Sequence, residues 1–212
     1  MKTINQFLNF RLIAILFATL FVVSCGDDDD GVEAPDDVNE VEVITNVTLI
    51  FTPEGGGLNA PVMVTAIDPD GEGAQELMVS GPINLDANTE YTLTYVIQNT
   101  LDPEDVEDIA EEILEEDDEH QFFYSFTMNA FTSPMGSGNI GAPGEVNYLD
   151  EDENGLPVGL ETSWTTGDVS TGTFTARLQH QPVVNDNVVK TATSGSDDGD
   201  TDFDLTFMLN IQ

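Results

Sequence analysis

Alternating apolar and polar positions predict β-strands along most of the chain. Each run has an apolar side chain at every second residue, which gives a strand one buried face and one wet face. Six runs have this pattern: Val47/Leu49/Phe51, Val62/Val64/Ala66, Tyr91/Leu93/Tyr95/Ile97, Phe122/Tyr124/Phe126/Met128, Phe174/Ala176/Leu178 and Phe203/Leu205/Phe207/Leu209/Ile211. Turns rich in glycine and aspartate separate them. We therefore expect a mainly β fold, an antiparallel β-sandwich of the Ig-like or Greek-key type.

One segment between two of these strands has the period of a helix. Its apolar residues fall at positions i, i+3, i+4, i+7 and i+8, namely Val106, Ile109, Ala110, Ile113 and Leu114. That spacing places them on one face of an α-helix. Asp102 stands where an N-cap is expected, and Pro103 stands at the first helical position. We therefore expect one amphipathic helix, over residues 103 to about 116, inserted between strands.

The other face of this predicted helix is acidic. Of the 18 residues from 102 to 119, 12 are Asp or Glu and none is basic. Like-charged residues four positions apart, such as Glu111 and Glu115, each cost about 0.2–0.5 kcal/mol of helix stability. The segment is therefore either a place where cations bind or a solvated acidic surface, and the sequence leaves both open.

Residues 1–24 have the pattern of a secretory signal peptide. Lys2 and Arg11 precede an apolar run of 12 residues, from 12 to 23, and the first 24 residues contain no acid. A basic start, a short apolar stretch and small residues at the cleavage site define such signals. The run is shorter than the ~20 residues that a membrane-spanning helix needs.

The segment Val22-Val23-Ser24-Cys25 resembles a bacterial lipobox, in which the cysteine is acylated and becomes the first mature residue. Cys25 is the only cysteine in the chain. Acylation would anchor the protein to the membrane through Cys25, and no thiol would remain for a disulfide or a nucleophile.

The residues after Cys25 predict an acidic tether. Eight of the 15 residues from 26 to 40 are Asp or Glu, and charges at this density repel one another and extend the chain. Residues 25–40 are thus the lipidated cysteine and tether, and residues 41–212 are a single sandwich domain. The whole chain has 41 acidic and 4 basic residues, a net charge of −37, which excludes a nucleic-acid partner.

Residues 150–161 match the calcium-loop pattern D-x-[DN]-x-[DN]-G-x₅-E. The ligands would be side-chain oxygens, together with one backbone carbonyl at Leu156, from Asp150, Asp152, Asn154, Leu156 and Glu161. No helical pattern flanks the loop, which speaks against an EF-hand. The sequence therefore predicts an isolated Ca²⁺ turn between strands, and an ordinary acidic turn is the alternative.

The chain has two histidines, His120 and His180. If their strands are neighbours, they could form a transition-metal site with nearby carboxylates; unrelated surface histidines are the alternative. The sequence contains no nucleophile elbow, no H-E-x-x-H and no Gly-rich phosphate loop. We therefore expect a protein without enzymatic activity.

Four segments of the chain resemble a family of small acidic lipoproteins found in Bacteroidetes. They are His120-Gln121-Phe122-Phe123-Tyr124, residues 150–168, Leu178-Gln179-His180-Gln181-Pro182 and Gly199-Asp200-Thr201-Asp202. Members are often labelled type 1 periplasmic-binding-fold proteins. This sequence contradicts the label, because two α/β lobes need alternating strand and helix patterns over a longer chain.

The resemblance implies a location and a role. The start Cys25-Gly26-Asp27-Asp28-Asp29-Asp30 is similar to that of lipoproteins exported to the cell surface in the same group. Lipoproteins of this size often accompany outer-membrane transporters and capture ligand for them. We therefore expect a lipid-anchored, non-enzymatic binding lipoprotein of the outer membrane, exposed at the surface or facing the periplasm, and stabilised by calcium. The alternative is a structural or adhesive surface domain with no small ligand.

Overall fold

The computed structural model describes residues 42–55, 60–69, 71, 76–184 and 187–212. The predicted signal peptide, Cys25 and the acidic tether lie outside these residues. Within the part described, none of the helical segments has the length and apolar character that a membrane crossing requires.

The described residues form strands and one short helix. In chain order the strands are β1 (Asn46–Pro53), β2 (Val62–Ile67), β3 (Met78–Val79), β4 (Ile83–Leu85), β5 (Glu90–Asn99), β6 (Glu107–Asp108), β7 (His120–Phe126), β8 (Phe131–Ser133), β9 (Asn147–Tyr148), β10 (Thr162–Thr166), β11 (Ser170–His180), β12 (Val183–Val184), β13 (Asn187–Val188) and β14 (Asp200–Ile211). Helix α1 (Ile109–Glu115) lies between β6 and β7.

The longer strands build two sheets. The first has the order β3-β2-β1-β5-β10-β8, with β6 paired to β5 and β9 paired to β10. The second has the order β4-β14-β11-β7, and β12 pairs with β13 in a small hairpin. The pairing of β4 with β14 is parallel, and the other strand pairs described are antiparallel.

Aromatic side chains from both sheets pack together in the core. Phe51 of β1 contacts Phe174 of β11 with ring centroids 5.7 Å apart, and Tyr95 of β5 stacks on Phe122 of β7 at 4.5 Å. Each such side chain gains about 1.5–3 kcal/mol from leaving water. The predicted β-sandwich is confirmed, and its buried stripes are those of the alternating pattern, except that Met128 is exposed beyond the end of β7.

The sequence prediction for the start of the helix is wrong. Helix α1 begins at Ile109, and its N-cap is Asp108, which makes no side-chain capping bond. Asp102 does not cap the helix; its carboxylate accepts the N–H of Glu104 at 2.9 Å and closes a local turn. The physical reason is strand pairing: residues 107–108 are extended because they form β6 against Gln98 and Asn99 of β5.

The shorter helix also buries fewer of the predicted apolar residues. Ile109 and Ile113 are in the core, whereas Val106 and Leu114 are 47% and 56% exposed. The helix ends where the N–H of Glu116 bonds the carbonyl of Glu112 at 3.0 Å. Residues 116–119 then turn directly into β7, so the acidic end of the helix lies beside His120.

Candidate metal centre at one end of the second sheet

The two histidines lie side by side at one end of the second sheet. His120 begins β7, His180 ends β11, and the two are direct cross-strand partners. Their rings are buried and stacked, with centroids 4.4 Å apart and planes 15° from parallel. The structure therefore brings together the two histidines that the sequence suggested as transition-metal ligands.

Strand β14 adds a carboxylate to the same place. Its first residue, Asp200, pairs with His180, and Asp202 follows two residues later. The preceding Gly199 has a φ of +87°, and a side chain there would run into the His180 carbonyl oxygen. Only glycine lets β14 begin this close to the end of β11, which places Asp202 near His120.

Each nitrogen of His120 faces an oxygen. Its Nδ1 lies 3.0 Å from the backbone carbonyl of Glu116, and its Nε2 lies 3.3 Å from Glu42 Oε1. The side chains of His120 and Glu42 are 0% and 9% exposed. The contact of His120 Nε2 with Glu42 is long for a hydrogen bond, and neither Glu42 Oε2 nor Asp202 Oδ2 has a hydrogen-bond partner among the described residues.

Two overlapping groups of residues have metal-binding geometry in the described part of the chain. Glu42, His120 and Asp202 each offer one ligand atom, and these atoms lie within 4.8 Å of one another. Glu116, His120 and His180 meet the same distance. His180 has a further partner, since its Nε2 lies 3.3 Å from Glu119 Oε2.

The electrostatics of the cluster favour a cation. Burial opposes protonation of His120, but the Glu42 carboxylate and the Glu116 carbonyl outweigh it and raise the pKa of His120 above its usual value. Burial raises the pKa of Asp202 to about 7; His120 lowers it, while the Glu42 and Asp200 charges add to the rise. Partly buried carboxylates thus crowd one buried imidazole, an arrangement that positive charge stabilises.

The carboxylates of the predicted calcium loop are bonded to the loop itself. Asp150 accepts the N–H groups of Gly159 and Glu161 at 2.8 and 3.1 Å, and Asp152 Oδ1 accepts those of Asn154 and Leu156, both at 2.8 Å. The Leu156 carbonyl, a predicted ligand, accepts the N–H of Asp152 at 2.8 Å. These bonds close a tight turn, with Gly155 at a φ of +75°.

A buried lysine supplies positive charge to this loop. Lys190 Nζ lies 3.0 Å from Asp152 Oδ2, and both side chains are 0% exposed. Burial opposes ionisation of Asp152, yet the Leu156 N–H and the Lys190 ammonium outweigh it and hold the pKa of Asp152 below its usual value. Lys190 occupies the charge-balancing role that calcium would have on this oxygen, and calcium binding stays a prediction.

The aromatic residues that could have lined a ligand pocket are in the core. Phe122, Tyr124 and Trp164 are fully buried. The Tyr124 hydroxyl donates to the Gly159 carbonyl at 2.7 Å, and the Trp164 indole donates to Thr162 Oγ1 at 2.8 Å. These three rings therefore hold the sandwich together and do not form the walls of an open pocket.

Sequence reasoning missed Glu42, Asp202 and Lys190. Glu42 precedes β1, and Asp202 occupies a position of β14 that the alternating pattern assigns to solvent, so neither has a local signal. Lys190 is the first basic residue after Arg177, and an isolated lysine in so acidic a chain was the one available hint. No protein-family model, curated protein or solved structure matches this chain.

Proposed function

We propose that this protein is a lipid-anchored, non-enzymatic binding lipoprotein of the bacterial outer membrane. The observation that carries the proposal is Val22-Val23-Ser24-Cys25, a lipobox-like segment directly after a short apolar run. A long acidic segment separates Cys25 from the first strand at Asn46. The order of anchor, tether and folded domain suits a protein that presents a binding surface at a membrane.

The arrangement of polar side chains supports binding. The two histidines, which are buried, and the carboxylates around them form a cluster at strand ends, which is the geometry of a ligand or ion site. Ligand capture for an outer-membrane transporter is the role that the resemblance implies. Calcium at residues 150–161 belongs to the same proposal, as a stabiliser of the loop that packs against Lys190.

A structural or adhesive role is the second candidate, and one observation favours it. Four apolar side chains are exposed on β2 and on β3, which is an edge strand of the first sheet: Met63, Ile67, Met78 and Val79. An open groove lined by Val79, Pro82 and Met208 adjoins them. Exposed apolar patches of this kind mark surfaces that contact other macromolecules.

Fractionation of a Cys25→Ala variant tests the anchor. We expect the wild type in the outer membrane and the variant in the soluble fraction, since several acyl chains at ~0.8 kcal/mol per CH₂ supply the attachment. Ser24→Ala is the matched control, because it keeps a small residue at the cleavage site and should remain anchored. Continued retention of Cys25→Ala in the membrane would overturn the lipoprotein proposal.

A further inference from the structure

We propose that Glu42, His120 and Asp202 bind a divalent transition-metal ion of the zinc class. The site is built from three distant parts of the chain: the segment before β1, the start of β7 and the start of β14. The inference goes beyond the proposed function, because it depends on neither the lipid anchor nor the location of the protein.

The first step is the protonation state of His120. The backbone carbonyl of Glu116 can only accept, so the Nδ1 that faces it at 3.0 Å carries the hydrogen. In a neutral imidazole, Nε2 is then a bare acceptor. It lies 3.3 Å from Glu42 Oε1, another acceptor, and Nε2 itself is shielded from solvent. Two facing acceptors repel, so something positive must lie between them.

The second step is the choice between a proton and a metal ion. A proton on Nε2 would pair His120 with Glu42 Oε1 at 3.3 Å, but it would leave Glu42 Oε2 and Asp202 Oδ2 without partners. One metal ion would bond the imidazole and both carboxylates together and satisfy all three. The charge also balances, because two carboxylates neutralise one divalent cation.

The third step is the kind of ion. Ligands about 2.0–2.1 Å from a tetrahedral zinc ion lie roughly 3.3 Å from one another. His120 Nε2 and Glu42 Oε1 already have this separation, and the Asp202 carboxylate lies within 4.8 Å of both, close enough to serve as the third ligand. An imidazole nitrogen suits zinc, cobalt or iron and not calcium, which takes oxygen ligands.

The surroundings of His120 are those of a metal-ligating histidine. Its Nδ1–H bonds a backbone carbonyl, which is the contact that commonly fixes the tautomer and orientation of such ligands. Stacking on His180 holds the ring from one side. The alternative group of Glu116, His120 and His180 uses the same imidazole but includes the exposed Glu116, so we assign the ion to the group in which both carboxylates are partly buried.

Isothermal titration of the full chain with Zn²⁺, purified in detergent and stripped with a chelator, tests the site. We expect one tightly bound ion per chain in the wild type and at least a tenfold weaker affinity in Asp202→Asn, which keeps the shape of the side chain. Asp200→Asn is the matched control, since it removes the same charge from an exposed position two residues away. It should bind zinc as the wild type does.

Co²⁺ gives a second readout that reports coordination directly. The wild type should show the visible absorption of four-coordinate cobalt, with His120, Glu42 and Asp202 as ligands and a water in the fourth position beside the partly exposed carboxylates, and Asp202→Asn should lose it. The proposal is overturned if the stripped wild type binds no zinc, if Asp202→Asn binds it equally well, or if Asp200→Asn weakens binding to the same degree. Cys25→Ala should bind zinc unchanged, so failure of the anchor and failure of the metal site are separate results.

Discussion

Lys190 is the residue that joins two acidic parts of the chain. Its ammonium lies 3.0 Å from Asp152 Oδ2 and 2.5 Å from the carbonyl of Asp117 just beyond α1. It therefore ties the loop of residues 150–161 to the turn that leads into His120. A buried ion pair of this kind contributes little when compared with an apolar pair, but the loss of one partner leaves an uncompensated charge.

We predict that Lys190→Met lowers the free energy of unfolding by about 3–5 kcal/mol, because Asp152 is then buried without its cation. Urea denaturation measures this, and Asp152→Asn added to Lys190→Met should recover part of the loss. Arg177→Met is the control: Arg177 pairs with the partly exposed Asp204 and the exposed Asp197, and such pairs are worth about 0–1 kcal/mol. If Lys190→Met and Arg177→Met lowered the free energy of unfolding equally, the prediction would be contradicted.

The same variant decides whether the loop binds calcium. Ammonium and calcium would compete for Asp152, so calcium should raise the melting temperature of Lys190→Met more than that of the wild type. An ion at ten times its dissociation constant adds about 1.4 kcal/mol of stability. If neither protein responds to calcium or to chelator, residues 150–161 are an ordinary acidic turn.

From the sequence, the pairing of His120 with His180 could be suggested only on the condition that their strands are neighbours, and the partners of Glu42 and Lys190 could not be predicted. His120 and His180 are 60 positions apart, and only the register of β7 against β11 makes them neighbours. Glu42 and Lys190 likewise contact residues that are far from them in the sequence. The spacing of oxygen-bearing residues in 150–161 is visible in the sequence. In the structure the oxygens of Asp150 and Asp152 accept backbone N–H groups of the loop. The sequence pattern alone therefore cannot distinguish a calcium site from a hydrogen-bonded turn.

At the scale of elements, α1 is a short helix under charge repulsion. Glu111 and Glu112 lie in its first turn, where the helix dipole stabilises negative charge. Its last turn has no basic residue to balance the opposite end of the dipole. Burial raises the pKa of Glu112, and the neighbouring Glu42, Glu107, Glu116 and Glu115 charges add to the rise. Burial of Ile109 and Ile113 is what holds the helix against the sandwich.

We predict that amide hydrogen exchange in α1 is faster at low salt than at high salt. Repulsive pairs such as Glu111 with Glu115 and Glu112 with Glu116 cost about 0.2–0.5 kcal/mol each, and salt screens them. Exchange at Ile113, measured by NMR or mass spectrometry, reports this. Leu205 in β14 is the reference site and should change little. Equal protection of Ile113 in both conditions would mean that packing alone sets the stability of α1.

The elements differed in how well their sequence determined them. The long strands β1, β5, β11 and β14 were predictable because each has a buried stripe at every second position. Strands of two or three residues, such as β3 and β6, have no periodicity to detect. The start of α1 was misplaced because Asp102 and Pro103 form a good helix start locally, and only pairing with β5 extends residues 107–108.

At the scale of the whole molecule, the four tyrosines are all held neutral by burial. Desolvation raises the pKa of Tyr91, Tyr95, Tyr124 and Tyr148, the last to about 12. A group with a higher pKa in the folded than in the unfolded state gives stability that is complete below the unfolded pKa, about 10 for tyrosine. This stability is lost as the pH rises towards the folded pKa.

We therefore predict that the sandwich unfolds cooperatively between about pH 10 and pH 12. Ultraviolet absorbance should show that the tyrosines ionise together with the loss of β-sheet circular dichroism, and not before it. As the comparison, the tyrosines of the chain fully unfolded in urea should ionise near the ordinary pKa of tyrosine. Ionisation of one or more tyrosines at that ordinary value, with the sheet intact, would contradict the burial described for their hydroxyl groups.

Strand β14 has a position in the second sheet that ties folding to the order of synthesis. It is the last strand in sequence, yet it lies between β4 and β11 and pairs with both. A nascent chain therefore lacks the centre of that sheet until β14 follows, and β4 has no neighbour to pair with before then. Among the described strands β4 pairs only with β14, so loss of β14 would free β4 as well and would leave only β11 and β7 paired in that sheet.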